Sequence, residues 1–124
     1  MMKRTVLFAL SILAAASQTG CSDDPPPTYQ ASIKPILDAH CVACHMPGNS
    51  GYEQSGLRLD SYDALMKGTR LNPVVRPGSS LSSTLYRMVS GQLDVSIRMP
   101  HHESKLTEKN VSMIGAWIDQ GAKN

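Results

Sequence analysis

Large aromatic side chains are scarce in this sequence. Its 124 residues include one phenylalanine, one tryptophan and four tyrosines, and the phenylalanine, Phe8, lies in an apolar stretch near the N terminus. Each buried aromatic side chain removes roughly 150–250 Å² of surface from water, so a small number of them limits the hydrophobic core. A chain of this length still builds one domain with a modest core. The composition therefore leaves room for an apolar cofactor in the interior.

Long hydrophobic runs are also lacking. A membrane-spanning helix needs about 20 consecutive apolar residues, whereas the mostly apolar stretch at the N terminus covers only residues 5–16. This stretch follows Lys3 and Arg4 and precedes small and polar residues, which is the layout of an export signal. We expect residues 1–20 to be a signal peptide. The mature protein is then expected to work outside the cytoplasm, in the periplasm or the cell envelope.

Cys21 stands where such a signal would end. Bacterial lipoprotein signals are cut immediately before a cysteine, which then carries acyl chains, and Gly20 suits that cleavage site. Gln18 stands where leucine is usual, so cleavage nearby by the ordinary signal peptidase is the alternative. Lipid at Cys21 would anchor the protein to a membrane. We predict a proline-rich tether at residues 21–28 and a single domain at residues 29–124.

An excess of charge of one sign is lacking as well. The chain has 12 Lys and Arg residues against 10 Asp and Glu residues. Lys3 and Arg4 leave with the predicted signal, so the mature part carries 10 residues of each sign. A protein that binds nucleic acid would need a basic surface. The charge balance therefore argues against a nucleic-acid partner.

The motif at residues 41–45 carries most of the information about function. Cys41, Cys44 and His45 form C-x-x-C-H, the attachment pattern of c-type haem. Two thiols at this spacing reach two vinyl groups of one porphyrin as thioethers, and the adjacent imidazole then lies beneath the iron. We predict one covalently bound haem c. The alternative is a non-haem structural lipoprotein with a disulfide between Cys41 and Cys44, whereas a zinc site would need further ligands.

Met99 is predicted to be the second axial ligand of the iron. It precedes Pro100, which disfavours helical backbone for the residue before it, so the thioether is not committed to a helix face. The other methionines of the mature chain adjoin His45 or fall in helical stretches, where methionine usually fills the core. His101 and His102 are the rival ligands, and either would give a bis-histidine iron.

Several stretches have the apolar periodicity of short helices, and none shows the sustained alternation of a strand. We therefore predict an all-α fold of about four short helices with little or no sheet, and a long polar loop at residues 46–59. The first predicted helix has Ser32 as its cap and Ile33, Ile36, Leu37 and His40 on its apolar face, and the second covers Tyr62–Lys67, with Asp60 or Ser61 as its cap and Gly68 at its end. The third has Leu81, Leu85, Met88 and Val89 on one face and ends at Gly91. The fourth begins at Thr107 and runs to Gly121.

The motifs, taken in order, resemble those of the planctomycete-type cytochrome c domain, a branch of the class I cytochrome c fold. The resemblance implies a cytochrome c-like fold wrapped around one haem, with Cys41 and Cys44 bonded to it, His45 proximal and Met99 distal. Family members often continue the methionine motif as M-P-P, whereas here two histidines follow the proline. The matching stretches are CVACH, GLRLDSYDALMKG, VVRPGSSLSSTLYRMV, RMP and LTEKNVSMIGAWIDQGA.

These observations predict an electron carrier and not an enzyme. Single electrons would pass between transiently bound redox proteins outside the cytoplasm as the iron cycles between Fe(III) and Fe(II). The protein would be a monomer or a subunit of a redox complex, held at a membrane by its lipid. The alternative is a haem-based sensor or peroxidase-like module in which Met99 is a labile ligand.

Overall fold

The computed structural model describes residues 25–101 and 104–124. Within these two ranges every regular element is helical and no strand occurs, which confirms the predicted all-α fold. The predicted signal peptide, Cys21, residues 22–24 of the tether and His102 lie outside the described residues. The elements are a π-helical turn at Tyr29–Ile33, α1 at Lys34–His40, α2 at Ser50–Ser55, α3 at Tyr62–Lys67, α4 at Thr84–Val89, a 3-10 turn at Val95–Ile97, and α5 at Glu108–Asp119.

No helix in the described ranges has both the length and the apolar character that crossing a membrane requires.

The first helix begins earlier than the sequence suggested. Thr28 caps it by accepting the backbone N–H three residues on, at 3.3 Å, so the predicted cap at Ser32 is wrong. Pro35 explains the difference, because proline lacks an N–H and its ring clashes with the carbonyl four residues before it in a regular helix. The chain enters through the π-helical turn Tyr29–Ile33 and adopts the α-helical register only at Lys34–His40.

The second and fourth predicted helices are confirmed together with their capping residues. The Ser61 side chain accepts the backbone N–H of Ala64 and caps α3, which ends at Gly68 in a backbone conformation with φ of +82°. Thr107 caps α5 in the same way, at 3.2 Å from the backbone nitrogen of Asn110. These boundaries depend on local side-chain chemistry, which explains why the sequence was sufficient to place them.

The third predicted helix is shorter than expected. Helix α4 spans Thr84–Val89, and Leu81 lies before it with 69% of its surface exposed, so the assignment of Leu81 to the apolar face is wrong. The Ser83 hydroxyl accepts the backbone N–H of Arg76 at 2.8 Å and donates to the carbonyl of Ser79 at 2.8 Å. Side-chain hydrogen bonds of this kind hold the backbone in a turn and delay the start of a helix.

The segment at residues 46–59 is not the open loop that its composition suggested. It contains α2, the six-residue helix Ser50–Ser55, which ends at Gly56 with φ of +73°. Arg70 packs over this helix, with its guanidinium 6.0 Å from the centre of the Tyr52 ring and an N–H donated to the carbonyl of Glu53 at 3.0 Å. These contacts come from a distant part of the chain, so local sequence could not reveal them.

An aromatic cluster joins the two ends of the domain. The Tyr29 ring lies 5.5 Å from Tyr62 and 6.3 Å from Trp117, measured between ring centres. The Trp117 indole donates to the carbonyl of Lys123 at 2.7 Å, and the same carbonyl accepts the backbone N–H of Tyr29. Apolar side chains extend this cluster into the core, and the fully buried ones include Ile33, Leu37, Leu59, Leu65, Ile114 and Ile118.

The hydroxyls of Tyr29 and Tyr62 differ in their hydrogen bonding. Tyr62 donates to the carbonyl of Ala122 at 2.9 Å, whereas the buried Tyr29 hydroxyl finds no partner among the described residues. Burial raises the pKa of Tyr29, with smaller contributions from Asp38 and Asp60. A buried polar group without a partner costs free energy that a matched hydrogen bond would have offset.

We therefore expect Tyr29→Phe and Tyr62→Phe to differ in their effects on stability. Tyr62→Phe should lower the free energy of unfolding by about 1 kcal/mol, because it removes a hydrogen bond and leaves a carbonyl unpaired. Tyr29→Phe should leave that free energy unchanged or raise it. Urea unfolding of the two variants beside the wild type measures both effects. A loss with Tyr29→Phe as large as that with Tyr62→Phe would show that the Tyr29 hydroxyl is bonded.

Candidate cofactor site

The two cysteines lie on a tight turn that continues α1. The backbone N–H of Cys41 donates to the carbonyl of Leu37 at 2.8 Å, and the N–H groups of Cys44 and His45 both donate to the carbonyl of Cys41, at 3.1 and 3.0 Å. Cys44 is exposed and Cys41 is partly buried, and neither thiol is in a disulfide in the part of the chain that the structure describes. The turn therefore presents two thiols and an imidazole from five consecutive residues.

The His45 imidazole is oriented by the backbone. Its Nδ1 lies 3.2 Å from the carbonyl oxygen of Leu57, and the residue is only 8% exposed. A carbonyl only accepts hydrogen bonds, so Nδ1 carries the proton and the lone pair remains on Nε2. Burial lowers the pKa of His45, and the bond to Leu57 opposes that shift. The ring is therefore kept neutral near pH 7, the state in which imidazole binds a metal.

Helix α2 packs directly against this motif. The Tyr52 N–H donates to the carbonyl of Cys44 at 3.1 Å, and the Leu59 N–H donates to the carbonyl of His45 at 3.1 Å. A methyl group built on Gly51 would lie 2.9 Å from the carbonyl oxygen of Cys44 and 3.0 Å from Nε2 of His45. Such contacts are too close for ordinary packing, so only glycine leaves the imidazole undisturbed at this position.

Gly51→Ala is expected to destabilise the protein although alanine favours helices. In an unconstrained helix the change would stabilise by about 1 kcal/mol. Here the new methyl group must displace either α2 or the His45 ring, and overpacking of this kind costs about 1–3 kcal/mol. Thermal unfolding, together with the chemical shifts of the His45 ring in NMR spectra, measures the effect.

Gln54→Ala is the matched control for Gly51→Ala. Gln54 lies in the same helix and is exposed, so its replacement should not lower the melting temperature or move the His45 signals. Equal behaviour of the two variants would contradict the close packing at Gly51.

An ion pair fixes the backbone just after Leu57, at residues 58–60. The Arg58 guanidinium makes two hydrogen bonds to the Asp60 carboxylate, at 2.6 and 2.7 Å. The hydrogen bonds from Arg58 lower the pKa of Asp60. Because both side chains reach solvent, the pair adds little to global stability and acts on the local shape of the segment.

Met99 lies outside the helices, as predicted for a residue before proline. It is partly buried and packs against the hydrophobic core, and the partly buried Cys41 packs against the same core. The structure thus brings the predicted distal ligand and one predicted thioether cysteine to a common apolar interior. His101 is exposed, whereas the other rival, His102, lies outside the described residues. Ligation of iron by any of these side chains stays a prediction.

The residues present fit a covalently attached haem. The two thiols have the required spacing, and the imidazole carries its free lone pair on the nitrogen that a metal would take. Gly51 leaves space beside that nitrogen which a larger residue would fill. Two parts of this arrangement were not found from the sequence. The orienting Leu57 carbonyl belongs to the backbone and has no signature, and the importance of Gly51 depends on a contact between α2 and the motif.

The chain also matches a known family. The family model described as planctomycete cytochrome C matches residues 41–103, which is just over half of the chain. The chain belongs to the planctomycete cytochrome c family. Membership implies binding of haem c and, at a coarse level, electron transfer by that haem. Searches of curated proteins and of solved structures found no match.

Proposed function

We propose that this cytochrome binds a single haem c and carries one electron at a time between redox proteins outside the cytoplasm. The observation that supports this most directly is the orientation of His45. A buried, neutral imidazole whose Nδ1 is bonded to a backbone carbonyl is arranged to bind metal through Nε2. A surface histidine has no fixed orientation, and a histidine with hydrogen bonds at both ring nitrogens has no lone pair left for a metal.

Four side chains are given roles in this proposal. Cys41 and Cys44 would form the thioethers, and His45 and Met99 would bind the iron as its proximal and distal ligands. His101 and His102 are the rivals of Met99, because they follow it within three residues. The packing of Met99 against the core supports its choice, since a thioether ligand is more stable where solvent cannot compete for the metal.

The surrounding residues would restrict the site to electron transfer and would not support catalysis on a substrate. When bound, the haem supplies the one-electron Fe(III)/Fe(II) couple. The Leu57 carbonyl would hold the imidazole in one orientation and increase its basicity. His45 and Met99 would both bind the iron in either redox state, so that a substrate could not bind it. The apolar core against which Met99 packs would disfavour extra positive charge and therefore favour the reduced state.

The cellular setting in this proposal comes from the sequence. An exported chain with lipid on Cys21 would lie at a membrane surface through its acyl chains. Its redox partners would bind weakly and briefly, as electron-transfer proteins do, through small interfaces. The protein would act as a monomer or within a redox complex.

Mass spectrometry of the mature protein tests the proposal most directly. The protein is expressed in a host with a cytochrome c assembly apparatus, and its intact mass and absorption spectrum are recorded after denaturation. We expect one porphyrin mass that survives denaturation, an absorption spectrum of haem c, and the mass of acyl groups on a chain beginning at Cys21. A folded, colourless product from such a host would contradict the proposal. A coloured product without acyl groups would support the electron-carrier role and contradict only the membrane anchor at Cys21.

A further inference from the structure

A cleft separate from the proposed haem ligands opens between α4 and α5. It has a volume of about 480 Å³, and its walls come from the end of α4, the turn at residues 90–92, Arg98, Lys105 and the start of α5. Cys41, Cys44, His45 and Met99 are not among the described residues that line it. Sites for small molecules usually have volumes of about 300–1,000 Å³. The cleft is therefore large enough for a small organic ligand.

Two cations line this cleft without an anionic partner in the described ranges. Arg98 and Lys105 form no ion pair there, whereas Lys34 pairs with Asp38 and Arg58 with Asp60 elsewhere in the domain. Among the described residues, Glu108 is the one acidic side chain in the wall of the cleft. Unpaired cations at a concave site attract an anion more strongly than isolated surface charges do, because nearby protein excludes part of the solvent.

The same cleft has an apolar side. Val89 and Leu106 line it and are 6% and 7% exposed, and the partly buried Val111 lies beside them. The hydroxyl-bearing residues Ser90 and Ser112 complete the wall. A ligand that suits both sides combines one anionic group with a short apolar chain, since such a molecule satisfies the cations and covers the valines and leucine.

We propose that this cleft binds a small amphiphilic carboxylate. Its carboxylate lies between Arg98 and Lys105, which donate charge-assisted hydrogen bonds to it. Its alkyl chain packs on Val89, Leu106 and Val111. A neutral molecule of the same shape lacks the ionic contacts, and a bare inorganic anion lacks the apolar ones, so each should bind more weakly.

Hexanoate is a suitable probe for this site. Titration of the holoprotein, followed by amide chemical shifts in NMR, should show saturable shifts at the cleft with a dissociation constant on the order of 1 mM, a reasonable affinity for a ligand of about eight non-hydrogen atoms. Lys105→Gln should weaken hexanoate binding at least about fivefold, because it removes one of two charge-assisted contacts. Hexanol and sulfate should each bind more weakly than hexanoate.

Lys109→Gln is the matched control, because Lys109 is an exposed cation on α5, four residues after Lys105, and it does not line the cleft. It should bind hexanoate with the wild-type affinity, and its melting temperature should match that of Lys105→Gln. Shifts that do not saturate, or equal weakening by Lys105→Gln and Lys109→Gln, would overturn the proposal, since the second result would indicate attraction by net charge alone.

An anionic group joined to an apolar chain, the combination that this cleft fits, occurs both in a soluble carboxylic acid and in an anionic lipid. Sedimentation with vesicles of phosphatidylglycerol, compared with phosphatidylcholine, separates the two sources. Vesicle binding that hexanoate displaces and Lys105→Gln weakens would identify the lipid as the ligand in the membrane setting. Saturable hexanoate binding without displaceable vesicle binding would identify a soluble carboxylate.

A second readout links the cleft to the proposed electron transfer, and it rests on that function. Arg98 adjoins Met99 in the chain, so an anion beside Arg98 places negative charge next to the segment that carries the proposed distal ligand. Hexanoate should lower the reduction potential of the wild type and should change that of Lys105→Gln less. Hexanoate binding without any change in potential would overturn the link to the haem and leave the binding site intact.

Discussion

Replacing Cys41 and Cys44 together by serine is expected to give a protein without covalently bound haem. Serine hydroxyls do not add to the porphyrin vinyl groups as thiols do, so both thioether bonds are lost. The fraction of chains that retain haem after denaturation should fall from nearly all to none. Haem absorbance per chain and the intact mass measure this loss directly.

Because α2 packs on the same turn and the core is poor in aromatic side chains, we also expect the doubly substituted chain to melt at a lower temperature than the loaded wild type. A ligand that binds only the folded state contributes stability, and that contribution disappears with it. Retention of the wild-type melting temperature would show that the domain does not depend on haem for its core.

Cys21→Ser is the matched control for the double substitution. It removes the only other cysteine of the chain, and it should eliminate the acyl mass while leaving the haem content unchanged. Haem loss with Cys21→Ser would contradict the assignment of the attachment sites. Full haem retention in the double variant would do the same.

Replacing Met99 by alanine is expected to lower the reduction potential by about 0.2 V, a fraction of the roughly 0.8 V range over which axial ligands set haem potentials. A thioether favours Fe(II) relative to Fe(III), and its loss leaves water or an imidazole in its place. The methionine-to-iron charge-transfer band of the ferric protein should disappear, and carbon monoxide should bind the ferrous protein faster. Redox titration and absorption spectroscopy provide the measurements.

The combined variant His101→Ala and His102→Ala serves as the control for Met99. It keeps the thioether, so the band, the potential and the carbon monoxide rate should stay close to those of the wild type. Loss of the wild-type spectrum in this variant, with little change in Met99→Ala, would assign the ligand to a histidine. Rapid carbon monoxide binding by the wild type would favour the sensor or peroxidase-like alternative, because it would mean that the distal ligand is labile.

Local signals account for the parts of the fold that sequence reasoning placed correctly. Ser61 with Gly68 marks both ends of α3, and Thr107 marks the start of α5, because a cap depends only on the groups of the adjoining turn. The same local reasoning failed at Ser32. There the effect of Pro35 extends back through a π-helical turn, and the helix starts at Tyr29 after a cap at Thr28.

Helix α2 shows a second kind of failure. Its six residues include one glycine and are mostly polar, and a helix this short is not stable by itself in water. Arg70 and the carbonyl of Cys44 stabilise it through contacts that do not exist until the chain has folded. No rule that reads a window of sequence could have included them.

For this protein the sequence alone predicted the cofactor chemistry, because the spacing of Cys41, Cys44 and His45 is a local property that matches the attachment pattern of haem c. It also determined the helical class, since apolar periodicity and capping residues act within a few residues of one another. Only the tertiary structure decided how the imidazole is held and that Gly51 must stay small. It also revealed the cleft with Arg98 and Lys105, because hydrogen bonds and packing between distant segments form when the core brings them together.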